Sequence, residues 1–323
     1  IFLDLTFHKI DFTLFFQNFR YINFFYFMLI VLIMYVTLFL RSFKWKFLLE
    51  PVKKVRLGSL FKSTLVGYMG NAIFPARIGE LLRAFIVNKF EKISKVTALS
   101  TIVLERIFDG LMVGSLFVSI LLFNPLHNKT FLQAGISALV MYTLFILILI
   151  LFYFRYKWVQ ALIKRFFDLF KLKYKDKILK ATGSFYEGLH IFKSRKDLLV
   201  FTLLTIMIWI MYIIQTYFFC KAMNIFHTVL ADPGYSVLFT SILLTFVMAI
   251  GIAIPSGPGA AGPLHASIVF TFILLNPQLI HQKINYNYVA SFSMFIWLTQ
   301  IIPVTIGGLA VMVKENVKIK EIK

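Results

Sequence analysis

Predominantly apolar blocks of about 20 residues leave this chain few ways to fold, because a helix of that length crosses about 30 Å of hydrocarbon. Such stretches lie near 21 to 40, 97 to 123, 134 to 154, 199 to 219 and 287 to 313. They show neither heptads nor short alternating strands, so the expectation is an all-α, polytopic integral membrane helix bundle. Of the 323 residues, 59% are hydrophobic and 15% charged, against roughly a quarter charged in soluble domains. The single cysteine, Cys220, has no intrachain partner for a disulfide, and no Cys/His cluster has zinc or haem spacing. No metal or other cofactor is expected.

The formal charge of +20 invites a nucleic-acid reading, which the placement of the charges argues against. Seven Lys and Arg lie between Arg41 and Lys62, three between Lys89 and Lys95, twelve between Arg155 and Lys196, and four between Lys314 and Lys323. Basic loops resist translocation, so a topology should gather these segments on the cytoplasmic side.

Two further apolar stretches, 63 to 88 and 237 to 275, are broken in the middle, the first by Asn71 and Pro75, the second by the run from Pro255 to Pro263. Each reads as a re-entrant helical hairpin. With that choice the basic segments share one face, and the two hairpins enter from opposite faces with their breaks meeting near the midplane, as in inverted-repeat transporters. The segment 155 to 198 reads as a basic amphipathic connector lying on the cytoplasmic interface and held by anionic lipid. The chain opens on Ile1, and a preceding outward span is expected.

Six ionisable groups fall at apparent membrane depth: Arg77, Glu80 and Arg83 in the first hairpin, and Glu105, Arg106 and Asp109 in the next span. A mid-membrane Arg or Asp costs about 2.5 to 3.5 kcal/mol on insertion scales, so these groups should be paired. Three arginines against three carboxylates predict a self-neutralising core. Such a core can clamp the hairpin to the following helix. Alternatively, the half-helix after Pro75 aims its positive N-terminus and Arg77 into a hydrated cavity that holds a phosphate, with Asn71 at its edge and the carboxylates positioning the arginines.

The second break contains Pro255, Gly257, Gly259 and Gly262, a composition that frees backbone polar groups, and these are tolerated at membrane depth only against protein or water. The loop is expected to line the cavity. His265 follows one turn later, as a packing residue or as a ligand or proton carrier. Gly110, Gly114, Gly307 and Gly308 read as sites of close helix approach.

The run Gly67 to Arg83, then Ile93, Ser94 and Ala98, then Glu105, Arg106 and Asp109, resembles the signature of the lysylphosphatidylglycerol synthase transmembrane-region family. Arg41 to Pro51 resembles that family's basic-aromatic motif, and Pro255 to Gly262 its late Pro-Gly-Gly loop. Two positions depart from the family pattern: His265 stands where a Glu is usual, and Trp297 or its neighbours where an Arg is common.

The resemblance implies a flippase-like transporter that moves a phospholipid or a polyprenyl-phosphate lipid between leaflets of the cell inner (cytoplasmic) membrane, and not an enzyme. The family's synthetase version needs a large soluble domain after the membrane part, whereas ten residues, Lys314 to Lys323, follow the last span here. The translocation half is therefore the expectation. No Gly-rich turn ending in Gly-Lys-Ser/Thr supplies nucleotide coupling. The alternatives are a transferase on a polyprenyl-phosphate sugar, with Glu80, Glu105 or Asp109 as general base, and a lipid-binding scaffold. An oligomer is compatible with either.

Overall fold

In a computed structural model the described residues are 11–123, 129–170, 175, 176, 178, 179, 182, 183, 186, 195–229, 236–254 and 256–317. They form α1 (Phe12–Asn18), α2 (Phe24–Leu49), α3 (Leu57–Ile73), α4 (Gly79–Glu91), α5 (Lys95–Phe123), α6 (Lys129–Phe154) and α7 (Tyr156–Leu169). After the connector come α8 (Arg195–Ala222), α9 (Ile225–Val229), α10 (Val237–Ala253), α11 (Pro263–Leu275) and α12 (Lys283–Lys314). No strand occurs among the described residues.

Local chemistry sets the helix ends. Asn23 opens α2 by accepting from the Phe25 and Tyr26 N–H groups, and Ser236 opens α10 by accepting from Phe239. Proline ahead disfavours helical geometry, and α2 stops two residues before Pro51, α3 two before Pro75. Pro263 begins α11, where its missing N–H costs nothing, after Gly262 at φ +94°, a conformation suited to glycine.

Among the described residues, four segments are long and apolar enough to cross a membrane: Phe24–Leu49, Lys196–Ala222, Pro258–Leu275 and Ile284–Lys314. The chain is a multi-pass α-helical membrane protein. Helix α5, at 29 residues, and α6, at 26, also have the length. The stretch 63 to 88 is divided between α3 and α4, and 237 to 275 between α10 and α11. Taken singly, α3 and α10 are about 25 Å long and α4 about 20 Å, each short of a hydrocarbon core, while α11 reaches spanning length only together with the turn before it.

Each pair folds back on itself as a tight hairpin. In the first, a Cβ built on Gly79 would lie 1.9 Å from the Gly67 carbonyl oxygen, and one on Gly70 would lie 2.4 Å from Leu82, so these glycines let the two helices touch along their backbones. In the second, Gly251 packs against Ser267 in the same way.

The open end of the first hairpin lies by the C-terminus of α12, where Lys62 pairs with Glu315 at 2.5 Å. That of the second lies by the N-terminal part of α12: Asn276 donates to the Val229 carbonyl and Tyr288 to that of Met223. The hairpin bases thus sit at opposite ends of the bundle, and their tips meet, with the Ala76 N–H donating to the Ser256 carbonyl at 3.3 Å.

Helix α12 touches both hairpins. A Cβ on Gly308 would lie 2.4 Å from Met69 of α3, while Trp297 donates to the Gly259 carbonyl in the second hairpin's turn at 3.1 Å. Between them stands Pro303, inside the helix.

Candidate functional site

Helices α2, α4, α5 and α8 bring a charged cluster together. Asp109 receives Arg41 through both Nη atoms at 3.1 Å, Arg106 Nη1 at 3.1 Å and Lys44 Nζ at 3.4 Å. Glu105 receives Arg41 Nη1 at 2.5 Å on one oxygen and Arg83 Nη1 at 2.9 Å on the other. Glu80 pairs with Arg106, whose Nε lies 3.2 Å away.

Aromatic and hydroxyl groups complete the shell. Arg41 Nε donates to the Tyr212 hydroxyl at 2.6 Å, and the Arg83 guanidinium lies over the Trp45 ring at 3.9 Å. Trp45 is itself fixed by a bond to Thr101 at 2.8 Å, and Lys44 lies over the Phe201 ring and 3.4 Å from the Thr205 hydroxyl.

Burial grades across the cluster. Arg41, Lys44, Arg83 and Glu105 are at most 3% exposed and Asp109 6%, whereas the Arg106 and Glu80 side chains are about a third exposed. Arg106 and Glu80 therefore form an open lip over a closed floor. On the floor, Nε and Nη2 of Arg83 have no hydrogen-bond partner among the described residues, and at the lip Nε of Arg106 faces Glu80 without hydrogen-bond geometry. A buried donor left unsatisfied costs about 1–3 kcal/mol.

The expected neutral core is corrected here. Arg41 and Lys44, expected among the loop charges, lie inside α2 and are buried. Four cations, Arg41, Lys44, Arg83 and Arg106, thus meet three carboxylates, and the cluster keeps a surplus positive charge. Arg77 stands apart at the hairpin tip, where its guanidinium donates to the Ile252 carbonyl at 2.6 Å, one of the acceptors left open where α10 ends. Ala76 and Arg77 both sit at φ +56°, so two successive side chains hold the left-handed conformation that places Arg77 there.

The remaining expected residues are structural in their contacts. Asn71 accepts from the Gly79 N–H at 2.9 Å and so closes the first hairpin turn. Gly259 at φ +61° abuts Ile301, Gly262 starts α11, and Gly257 has nothing within 4 Å of where its Cβ would be. Pro255 lies outside the described residues. His265, 1% exposed, bonds to Ser293 at 3.0 Å and packs against Trp297. Gly114 packs beside Leu139.

Among curated proteins, a UPF0104 membrane protein of Methanocaldococcus jannaschii is 25% identical over 232 residues, 68% of this chain and 67% of that protein. A UPF0104 membrane protein of Methanothermobacter thermautotrophicus is 22% identical over 251 residues, 73% of this chain and 72% of that protein. No solved structure matches significantly. The profile of the lysylphosphatidylglycerol synthase TM region matches residues 1–308, a span that takes in both hairpins and the whole charged cluster. With nearly its full length and its most unusual residues covered by that profile, the chain belongs to the lysylphosphatidylglycerol synthase transmembrane-region family.

Proposed function

We propose that this protein is a flippase-like carrier that moves a phospholipid or a lipid-linked phosphate between leaflets of the cytoplasmic membrane. In this reading the two hairpins are re-entrant, enter from opposite faces, and meet near the bilayer midplane. The headgroup phosphate docks at the lip formed by Arg106 and Glu80 and is gripped from below by Arg83. Rocking of one half against the other presents the site to each leaflet in turn.

One observation carries the proposal: a surplus of cation over carboxylate in the cluster, with two N–H-bearing nitrogens of Arg83 left without acceptors among the described residues. A phosphate oxygen offers what is missing, and guanidinium grips it in two-point fashion while staying charged. A carrier fits better than a transferase because Glu80, Glu105 and Asp109 each have a cation within 4.0 Å, which leaves none of them free as a general base.

The test is leaflet exchange of fluorescent lipids in proteoliposomes, read by chemical bleaching of the outer leaflet. Exchange faster than in empty vesicles is expected for lipids with an anionic phosphate, and the gain should vanish in Arg83→Gln. No acceleration for anionic phospholipids or polyprenyl phosphates would end the carrier reading.

A further inference from the structure

Helix α7 has a feature the charged cluster does not use. It is 14 residues long, about 21 Å, too short to cross a hydrocarbon core. Trp158, Leu162, Phe166 and Leu169 follow one another on one stripe at helical spacing, and Phe170 just beyond extends it; all are at least half exposed. Lys157 and Lys164 lie on the opposite stripe, and Arg165 at the border, also exposed.

The fold sets where this helix lies. Gly114 beside Leu139 and Gly135 beside Phe117 show that α6 runs antiparallel to α5, so α6 returns the chain to the end of the bundle where α5 starts. That end also carries Lys53, Lys62, Lys89 and Lys95. At Arg155 the backbone leaves helical geometry, and the Tyr156 ring stacks on Tyr186 at 4.0 Å, so the bend between α6 and α7 is braced by the returning connector.

We infer that α7 is a binding site for anionic phospholipid: it lies in the headgroup plane, sinks its aromatic stripe among the acyl chains, and presents Lys157, Lys164 and Arg165 to lipid phosphates. Charge complementarity selects the occupant. Asp168, the acidic residue within α7, is engaged by Lys175 at 2.5 Å, which leaves the three basic residues to face the lipid. A water-facing helix gains nothing from five exposed large apolar side chains, and a helix buried in acyl chains would have to desolvate its lysines.

The test uses the full chain. Cys220 is fully buried, so Leu162→Cys can be labelled selectively with an environment-sensitive fluorophore and the protein reconstituted in vesicles carrying quencher lipids at shallow or deep acyl positions. Quenching should be strongest from shallow positions, and the ratio of anionic to zwitterionic lipid retained on purification from a mixed bilayer should exceed the bulk ratio. Replacing Lys157, Lys164 and Arg165 by Gln should lower that enrichment about fivefold per residue in low salt. Absence of quenching, which would place α7 against protein or a second copy of the chain, overturns the proposal. So does quenching with no anionic enrichment, or enrichment that the triple variant leaves unchanged. Because retention is read without any flipping assay, failure of the carrier reading leaves this result standing.

Discussion

The two hairpins share a construction and differ in what they spend it on. Both approach closely through glycine, Gly67, Gly70 and Gly79 in the first and Gly251 in the second. Past the first turn, α4 then sends Glu80 and Arg83 into the cluster with α2 and α5. Past the second, α11 sends His265 to a serine and a tryptophan. Helix pairs of matched length, 17 and 13 residues in each, thus present, on one side, a site with surplus positive charge and, on the other, a turn against which Arg77 anchors. Fit holds both hairpins and charge pairing adds to it in the first, and substitutions should separate the two contributions.

The largest effect is expected at Glu105. Glu105→Ala leaves Arg41 and Arg83 buried with a shared partner gone and should cost about 3–5 kcal/mol, read as a fall in thermal stability in detergent. A change within experimental error would mean that charge pairing does not hold the first hairpin. Next comes fit: Gly79→Ala in the first hairpin and Gly251→Ala in the second force overpacking and should each cost about 1–3 kcal/mol, while Gly257→Ala, with open space around it, is neutral. If Gly257→Ala proves as damaging as Gly251→Ala, shape is not what the second turn depends on.

Arg77→Ala removes one of the bonds that tie the first tip to the second and should cost about 1.5 kcal/mol. The loss should disappear if Ile252 O is already freed by a destabilised α10, which makes Arg77→Ala with Gly251→Ala a test of coupling between the tips. Least is expected from Lys62 and Glu315 at the rim. The Lys62 ammonium, hydrogen bonded to it, holds the Glu315 carboxyl below the usual carboxylate range. Such a depressed group adds stability above the ordinary carboxylate pKa and loses it as pH falls through the lowered value. Solvent screening makes the amount small, so Glu315→Gln should leave the melting temperature unchanged at neutral pH.

Much of this was legible in the sequence, for physical reasons that can be named. Asn71, Pro75 and the glycine-proline run mark where helices must break, and Arg106 with Asp109 is a pairing that helical spacing alone makes available. Arg41 and Lys44 were not legible, because hydropathy falls where charges begin and the first span then reads as ending at 40, nine residues early. A signal was present: Arg41, Lys44, Trp45 and Leu48 recur at helical spacing and all are buried, whereas Lys46, off that stripe, is partly exposed and pairs with Glu50. The role of Asn71 was hidden for another reason. Its amide reaches Gly79 only because the chain folds back, a relation that no local pattern displays.

Pro303 interrupts the hydrogen-bond ladder of α12. Lacking an N–H, it drops the backbone rung to Thr299, and its own carbonyl is taken by the Tyr35 hydroxyl at 2.8 Å. On one side of that missing rung, Trp297 grasps the second turn; on the other, Gly308 lies flush against the first hairpin. The helix that both hairpins lean on thus lacks a backbone hydrogen bond midway between its two grips, the place along it where bending costs least.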